Sequence, residues 1–219
     1  MRLLVPLYVH PAVDPAAWQA LVACAPLLYG VVLNADDGPG RTPDPHFTGA
    51  AAALRAAGAP VLGYVDTDYG RRSAREVARD FARHRDWYAA DGFFLDQVAA
   101  DRGGVRHYRR LARTARTYGA RTVVLNPGVH PASGYAAFAD LLVTFEGGWD
   151  AYRTAPAPPP WTGGHPPETF CHLVHGVPSG LCGLAARTAE LRGAAVHCAV
   201  TGHGPNPWSA LPPALRKAS

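Results

Sequence analysis

The chain has 219 residues, of which 48% are hydrophobic and 17% are charged. This composition is typical of a compact globular protein and excludes a largely disordered chain, so we expect one domain over residues 1–219. The net charge is +4, and the basic residues are 20 arginines and a single lysine, Lys217. This preference for arginine over lysine indicates a GC-rich genome. Because the arginines are spread over several predicted helices and not massed in one run, we expect no nucleic-acid partner.

Cysteine content and hydropathy argue against a disulfide-rich, membrane-spanning or secreted protein. The four cysteines include no CxxC pair, which favours buried free thiols over a disulfide framework. No apolar stretch approaches the roughly 18 residues of a transmembrane helix. The apolar N-terminal run is interrupted by Pro6 and lacks a small-residue cleavage site, so we interpret it as a strand and not as a signal peptide. We expect a cytoplasmic monomer with no membrane partner.

Eight short apolar runs divide the chain, and each ends at a polar residue. The runs cover residues 3–9, 29–33, 61–65, 93–95, 123–125, 141–145, 170–174 and 194–200, and they end at His10, Asn34, Asp66, Asp96, Asn126, Glu146, His175 and Thr201. From Asn34 to Asn126 these ends recur about every 30 residues, the length of a βα unit. Polar residues at the carboxyl ends of eight parallel strands are typical of the mouth of a TIM barrel. We therefore predict the α/β class and a compact, single (β/α)8 barrel.

Helix signals lie between the apolar runs. Asp14 followed by Pro15 predicts a helix start, and Ser73 with Glu76 predicts a capping box. Further helices are predicted over 46–57, 105–118 and 180–191, with a short one after residue 208. The region 147–168 holds four prolines between 156 and 160, which no full helix can cross. We predict that helix six is reduced to a Pro-rich loop.

Two carboxylates are the candidate catalytic groups. Of the four glutamates only Glu146 ends a predicted strand, and Asp96 ends the fourth strand. Two carboxyl groups facing each other across a barrel mouth suit glycoside hydrolysis, because one must be protonated to release the leaving group while the other stays ionised. The residues alone do not assign the two roles. The structural alternative is a strand-end Glu paired with an arginine.

Other residues near the strand ends are candidates for substrate binding. Aromatic rings suit stacking on sugar faces, although they are also ordinary core residues. We assign Asn34, Asp66, Asp68, Gln97 and Asn126 to hydrogen bonding with sugar hydroxyl or acetamido groups, and we add His10 and His175 as strand-end residues. The aromatic candidates are Tyr8, Tyr64, Tyr69, Trp149 and Trp161, some of which we expect in the core.

Metal and phosphate sites are less favoured alternatives. His172 and His175, with His197 and His203, could suggest a metal, but residues three apart on a strand point to opposite faces. The glycine pairs at 38–40 and 202–204 do not open helices as phosphate-binding loops do. We expect no metal and no other cofactor. A metal-assisted hydrolase using Asp66, Asp68, Asp96 and a histidine stays open as a third hypothesis.

Several segments together resemble the spherulation-specific family 4 (spherulin 4-like) proteins. They are residues 5–11, Asn34 with 38–40, 63–69, 87–88, 91–96, 126–128, Asp140 and 145–147. The resemblance implies a (β/α)8 barrel related to endo-α-1,4-galactosaminidases, which hydrolyse galactosamine-containing polysaccharide. It also implies an acidic pair at the end of strand four and a Glu at the end of strand six.

Asp96 and Glu146 match two of these family positions, whereas Gln97 stands where the hydrolytic members have a Glu. An amide can bind a sugar but cannot exchange a proton at ordinary pH. Two hypotheses follow. The first is a glycoside hydrolase acting on an amino-sugar glycan through Asp96 and Glu146. The second is a glycan-binding barrel that has lost turnover through Gln97.

Overall fold

The computed structural model describes residues 1–216, and its core is a closed barrel of eight parallel strands in sequential order. The strands are β1 (Arg2–Pro6), β2 (Leu28–Leu33), β3 (Val61–Asp66), β4 (Gly92–Asp96), β5 (Thr122–Leu125), β6 (Leu141–Gly148), β7 (Phe170–His175) and β8 (Val196–Ala199). Each strand overlaps one of the apolar runs, because parallel strands covered on both faces must be apolar on both. The predicted (β/α)8 barrel is confirmed.

Seven α-helices surround the barrel within residues 1–216. They are α1 (Pro15–Ala23), α2 (Pro45–Ala56), α3 (Ala74–Tyr88), α4 (Val105–Thr117), α5 (Trp149–Arg153), α6 (Cys182–Leu191) and α7 (Pro213–Arg216). The reduced sixth helix is confirmed, since α5 has five residues and the prolines after it prevent its extension. The connection from β5 to β6 contains only a 3₁₀ helix, Ser133–Ala137, in the place of a full helix.

Local capping determines where the helices begin. The Ser73–Glu76 capping box is present at the start of α3. Helix α2 begins one residue before the predicted start, because the Asp44 side chain accepts hydrogen bonds from the backbone N–H groups of His46 and Phe47. None of the described helices is long and apolar enough to cross a membrane.

The barrel interior is filled by alternate residues of the strands, including Leu4, Val32, Leu62, Phe94 and Val143. Residues between them point outward and pack beneath the helices. The four cysteines are buried and free. The lower part of the barrel is therefore a packed core, and space for a ligand is left at the carboxyl ends of the strands.

A β-bulge in β6 changes the direction of the residues that follow it. Register with β7 shifts between Val143 and Phe145. Val143 belongs to the interior cluster, whereas Phe145 packs outside the barrel against Tyr152. Strict alternation would put these two residues on the same face. The extra residue reverses the pattern, and Glu146 consequently points into the mouth.

One glycine allows a helix to approach the barrel closely. A Cβ on Gly63 would lie 2.4 Å from the ring of His84 on α3. The His84 ring is fully buried, and its Nε2 donates a hydrogen bond of 2.7 Å to the carbonyl of Tyr64. This contact ties α3 to the part of β3 that carries Tyr64 to the mouth.

Candidate functional site

A cleft of about 570 Å³ opens at the carboxyl ends of the strands. It is lined by Tyr8, Asn34, Ala35, Asp36, Asp37, Tyr64, Asp96, Glu146, His175, Pro205, Asn206, Pro207 and Trp208. Four of these side chains are carboxylates, and the lining contains no arginine or lysine. Four other cavities in residues 1–216 lie at the opposite end of the barrel or between outer helices, and none of these four combines paired acids with aromatic rings.

Asp96 and Glu146 are joined through a third residue, Asn126. The Asn126 side-chain nitrogen donates a hydrogen bond of 2.6 Å to Asp96 Oδ1 and another to Glu146 Oε2. Its side-chain oxygen accepts a hydrogen bond of 3.0 Å from the backbone N–H of Gly128. The amide is therefore fixed at both ends. Because β5 lies between β4 and β6 in the barrel, Asn126 at the end of β5 reaches both acids.

Glu146 has the properties of a group that exchanges protons near neutral pH. The pKa of its carboxyl is raised to about 7, first by burial and then by the negative charge of Asp96. Hydrogen bonds from Asn126 and from the indole of Trp208 act in the opposite direction, because they stabilise the ionised form. The Trp208 Nε1 donates to Glu146 Oε1 at 3.1 Å.

Asp96 is held by more donors than Glu146. The pKa of Asp96 lies above its usual value because burial raises it, and hydrogen bonds from the Tyr64 hydroxyl, the backbone N–H of Gln97 and the Asn126 amide limit this rise. The Tyr64 bond is 2.8 Å long and reaches Oδ2. Both oxygens of Asp96 thus accept side-chain hydrogen bonds, an arrangement that favours the carboxylate form.

Six of the residues selected from the sequence line the cleft: Tyr8, Asn34, Tyr64, Asp96, Glu146 and His175. Asn126 lies just beneath them, almost fully buried. Asn34 also has a local role, because its side-chain oxygen accepts a hydrogen bond of 2.8 Å from the backbone N–H of Gly38 and so shapes the loop after β2.

The other selected residues lie outside the cleft lining. His10 donates to the Asp44 carboxylate at 3.1 Å and packs on Phe47. Asp68 forms an ion pair with Arg71, and that arginine also stacks on the exposed ring of Tyr69. The Asp66 side chain accepts a hydrogen bond from the backbone N–H of Asp68. Trp149 is buried and packs against Tyr152, and Trp161 packs against Phe170.

Gln97 adopts a left-handed backbone conformation with φ of 50°. Its carbonyl accepts hydrogen bonds from the backbone N–H of Tyr69 at 2.7 Å and from the hydroxyl of Thr67 at 2.8 Å. Gln97 is not part of the cleft lining. It holds the loop after β3 against the loop after β4, beside the acid pair.

Asp36, Asp37 and the segment 205–208 are components of the cleft that sequence reasoning missed. The two acids lie in the loop after β2 and are exposed at the rim. Residues 205–208 follow the last strand, where a Pro- and Gly-rich stretch gives no periodic signal. The rule that loops at the carboxyl ends of barrel strands build the site is the signal that could have identified them.

The described residues contain no group of three or more His, Cys, Asp and Glu side chains placed to hold a metal ion. His172 lies beneath α5, where its Nδ1 and the Tyr152 hydroxyl form a hydrogen bond of 2.8 Å. His175 lies in the cleft with its ring edge-on to Trp208. The HxxH pair is therefore divided between two faces of β7.

The chain is similar in sequence to proteins of one family. The family described as "Spherulation-specific family 4" matches residues 2–218. Spherulin-4 of Physarum polycephalum is 33% identical over 151 residues, which cover 67% of this chain and 45% of that protein. The chain thus corresponds to less than half the length of this relative.

Solved structures with the same architecture include Sph3 of Aspergillus clavatus in complex with GalNAc. That structure has a TM-score of 0.79 and 25% identity, and the match covers 100% of this chain and 97% of that chain. A chitinase from Rhizomucor miehei has a TM-score of 0.56 at 11% identity, covering 99% of this chain and 100% of that chain. At the identity of the chitinase, the similarity concerns the fold alone.

Proposed function

The chain belongs to spherulation-specific family 4, and from that premise we propose that it is a glycoside hydrolase acting on an amino-sugar glycan. The observation that carries the proposal is the pair Asp96 and Glu146, two buried carboxylates linked through one amide at the mouth of the barrel. A structural ion pair is the alternative for a strand-end Glu, but the hydrogen-bond partners of Glu146 are Asn126 and Trp208, which are neutral.

Hydrogen bonding and burial support different roles for the two acids. Glu146, with its pKa raised to about 7, is the general acid and base. Asp96, whose two oxygens accept hydrogen bonds from Asn126 and Tyr64, is the ionised nucleophile. Asn126 Nδ2 lies 2.6 Å from Asp96 Oδ1 and within a usual hydrogen-bond length of about 3 Å from Glu146 Oε2, so these two oxygens are at most about 5.6 Å apart. This upper limit is compatible with the separation of about 5–5.5 Å in retaining enzymes and lies below the 6.5–9.5 Å of inverting ones.

In the proposed reaction, protonated Glu146 gives its proton to the glycosidic oxygen as the bond to the anomeric carbon breaks. The Asp96 carboxylate attacks that carbon and forms a glycosyl ester. Glu146, now ionised, takes a proton from water, and the resulting hydroxide attacks the anomeric carbon and releases Asp96. Both residues return to their starting states, and the configuration of the sugar is retained.

The charge of the cleft supports an amino-sugar substrate. Even with Glu146 protonated, three carboxylates and no arginine or lysine in the lining disfavour an anionic sugar and favour one with an ammonium group, such as galactosamine. Tyr8 and Tyr64 meet edge to face at 5.8 Å, which leaves aromatic surface for contact with a pyranose ring. The complex of Sph3 with GalNAc also supports an amino sugar.

The second candidate is a glycan-binding barrel without turnover, and the observation that favours it is Gln97 beside Asp96. In the hydrolase proposal the chemistry needs only Asp96 and Glu146, and Gln97 acts through its backbone hydrogen bonds to Tyr69 and Thr67. Loss of a proton-exchanging group at position 97 is then compatible with hydrolysis.

Both candidates are tested with defined oligosaccharides of galactosamine and of N-acetylgalactosamine. Product release and binding are measured for the wild type, for Asp96→Asn and for Glu146→Gln, with Glu190→Gln on the exposed face of α6 as the control. We expect each active-site variant to lose at least about 10²-fold in kcat/KM and the control to lose nothing. Saturable binding without product in the wild type supports the binding barrel, and full activity in Glu146→Gln contradicts the hydrolase mechanism.

A further inference from the structure

The segment that follows β8 folds back over the barrel mouth and is fastened there at several points. The backbone N–H of Tyr8 donates to the carbonyl of Trp208 at 2.9 Å, and the Asn206 side chain donates to the carbonyl of Tyr8, also at 2.9 Å. On the other side, the backbone N–H of Gly176 donates to the carbonyl of Gly202 at 2.6 Å. These bonds connect residues 202–208 to the loops after β1 and β7.

This anchoring determines where the indole of Trp208 points. The side chain is 5% exposed, belongs to the cluster that fills the barrel and meets the ring of His175 edge to face. An indole N–H can only donate, and a buried donor needs an acceptor. The acceptor of Trp208 is Oε1 of Glu146, the oxygen that Asn126 does not contact.

We propose that Trp208 is a positioning residue that orients Glu146 through this hydrogen bond and sets the pH at which Glu146 gains and loses its proton. The inference rests on the proposed function for its catalytic meaning, but the hydrogen bond acts on Glu146 whether or not a sugar is cleaved. With Asn126 on one oxygen and Trp208 on the other, the carboxyl group cannot rotate without breaking a bond. Both donors favour the ionised form, so each lowers a proton affinity that burial and Asp96 increase.

The matched variants are Trp208→Phe and Trp18→Phe. Phenylalanine keeps an aromatic ring in both positions and removes only the N–H with part of the ring system. Trp18 is also a buried indole, 4% exposed, and its N–H donates to the carbonyl of Val9 at 3.0 Å, away from the cleft. The Trp18→Phe variant therefore shows how the loss of a buried indole hydrogen bond away from the cleft affects the fold.

The direct test is NMR titration of glutamate side-chain carboxyl carbons. The chain contains only four glutamates, so the Glu146 signal can be assigned from its absence in Glu146→Gln. In Trp208→Phe we expect the midpoint of the Glu146 titration to rise by about one pH unit, the size expected for loss of one hydrogen bond to a carboxylate. In Trp18→Phe it should not move. An unchanged midpoint in folded Trp208→Phe overturns the proposal.

A second measurement needs no variant at position 208. The indole N–H proton of Trp208 in the wild type should change its chemical shift with the same midpoint as the Glu146 carboxyl, and this response should disappear in Glu146→Gln. Absence of the response overturns the proposal even if Trp208→Phe does not fold.

Activity separates this inference from the proposed function. If the protein hydrolyses a glycan, the basic limb of the pH profile of kcat/KM should move to higher pH in Trp208→Phe with the acidic limb unchanged, because protonated Glu146 persists to higher pH. A purely structural role would lower kcat/KM at every pH and move neither limb. If no glycan is cleaved, the proposed function fails, whereas the carboxyl titration still decides the role of Trp208.

Discussion

Asp96 and Glu146 accept hydrogen bonds from the same nitrogen atom, Nδ2 of Asn126. Two carboxyl groups this close would otherwise tend to share one proton, because like charges at short range disfavour double ionisation. The bridging amide keeps the two groups apart and donates to both. It therefore prevents a proton from passing directly between the two carboxyl groups, so that one acid can hold the proton while the other stays ionised, as acid-base catalysis by a carboxyl pair requires.

Replacing Asn126 should damage the site more than the fold. Asn126→Ala removes a donor from both acids, so we expect the pKa of Glu146 to rise and kcat/KM to fall by about 10²-fold. Asn126→Asp replaces the donor with a third carboxylate and should be worse. Kinetics across pH and thermal unfolding of both variants measure this. An Asn126→Asp protein with wild-type kcat/KM would show that the bridge is dispensable.

Glu146 should make the protein less stable as the pH rises. The pKa of Glu146 is about 7 in the folded chain and near 4.5 when unfolded, so the folded state binds more protons between these values. The free energy of unfolding should therefore fall from pH 4.5 to pH 7 and then level off, with a total change of about 3 kcal/mol from this group.

Chemical unfolding of the wild type and of Glu146→Gln from pH 4 to pH 8 measures this loss. The variant should be more stable than the wild type at pH 8 and should lack most of the slope, whereas Glu190→Gln should keep it. A wild-type stability that increases between pH 4.5 and pH 7 as strongly as in Glu146→Gln contradicts the raised pKa.

Gln97→Glu distinguishes the hydrolase from the binding barrel. Gln97 acts in the structure through its backbone, held at a φ of 50° by contacts to the loop after β3. If Asp96 and Glu146 suffice, the substitution should change kcat/KM by no more than a few-fold, because the backbone contacts remain. Turnover that appears only in Gln97→Glu would identify the natural protein as a binder, and oligosaccharide hydrolysis by both forms measures the difference.

Asp37 at the rim should contribute to the preference for a cationic sugar. Asp37→Asn keeps the left-handed backbone, since asparagine tolerates the φ of 45° as well as aspartate does. We expect KM for galactosamine oligosaccharides to rise about two- to five-fold at low salt, with no change for N-acetylated ones. The effect should shrink in 1 M salt, where exposed charges are screened. Equal effects on both substrates would argue against charge recognition.

The barrel could be predicted because each of its strands leaves a pattern in a short stretch of the sequence. Each strand is covered on both sides, so it appears as a short apolar run, and the crossover helices impose an interval of about 30 residues. The reduced sixth helix was predictable for the same reason, since the prolines at 156–160 prevent a helix wherever they are placed. The missing helix between β5 and β6 has no such signal, and only the structure revealed the 3₁₀ helix Ser133–Ala137 there.

The sequence by itself determined the barrel and identified Asp96 and Glu146 as the candidate acids on strands four and six. Only the tertiary structure decided how those acids are used. The bulge at 143–145 turns the Glu146 side chain into the mouth. Because β5 lies between β4 and β6, Asn126 can donate hydrogen bonds to both acids. The segment after β8 folds back and places Trp208 within hydrogen-bond distance of Glu146. The physical reason is that strand composition reflects burial, which is local, whereas hydrogen-bond partners depend on register and on loop closure between residues far apart in the chain.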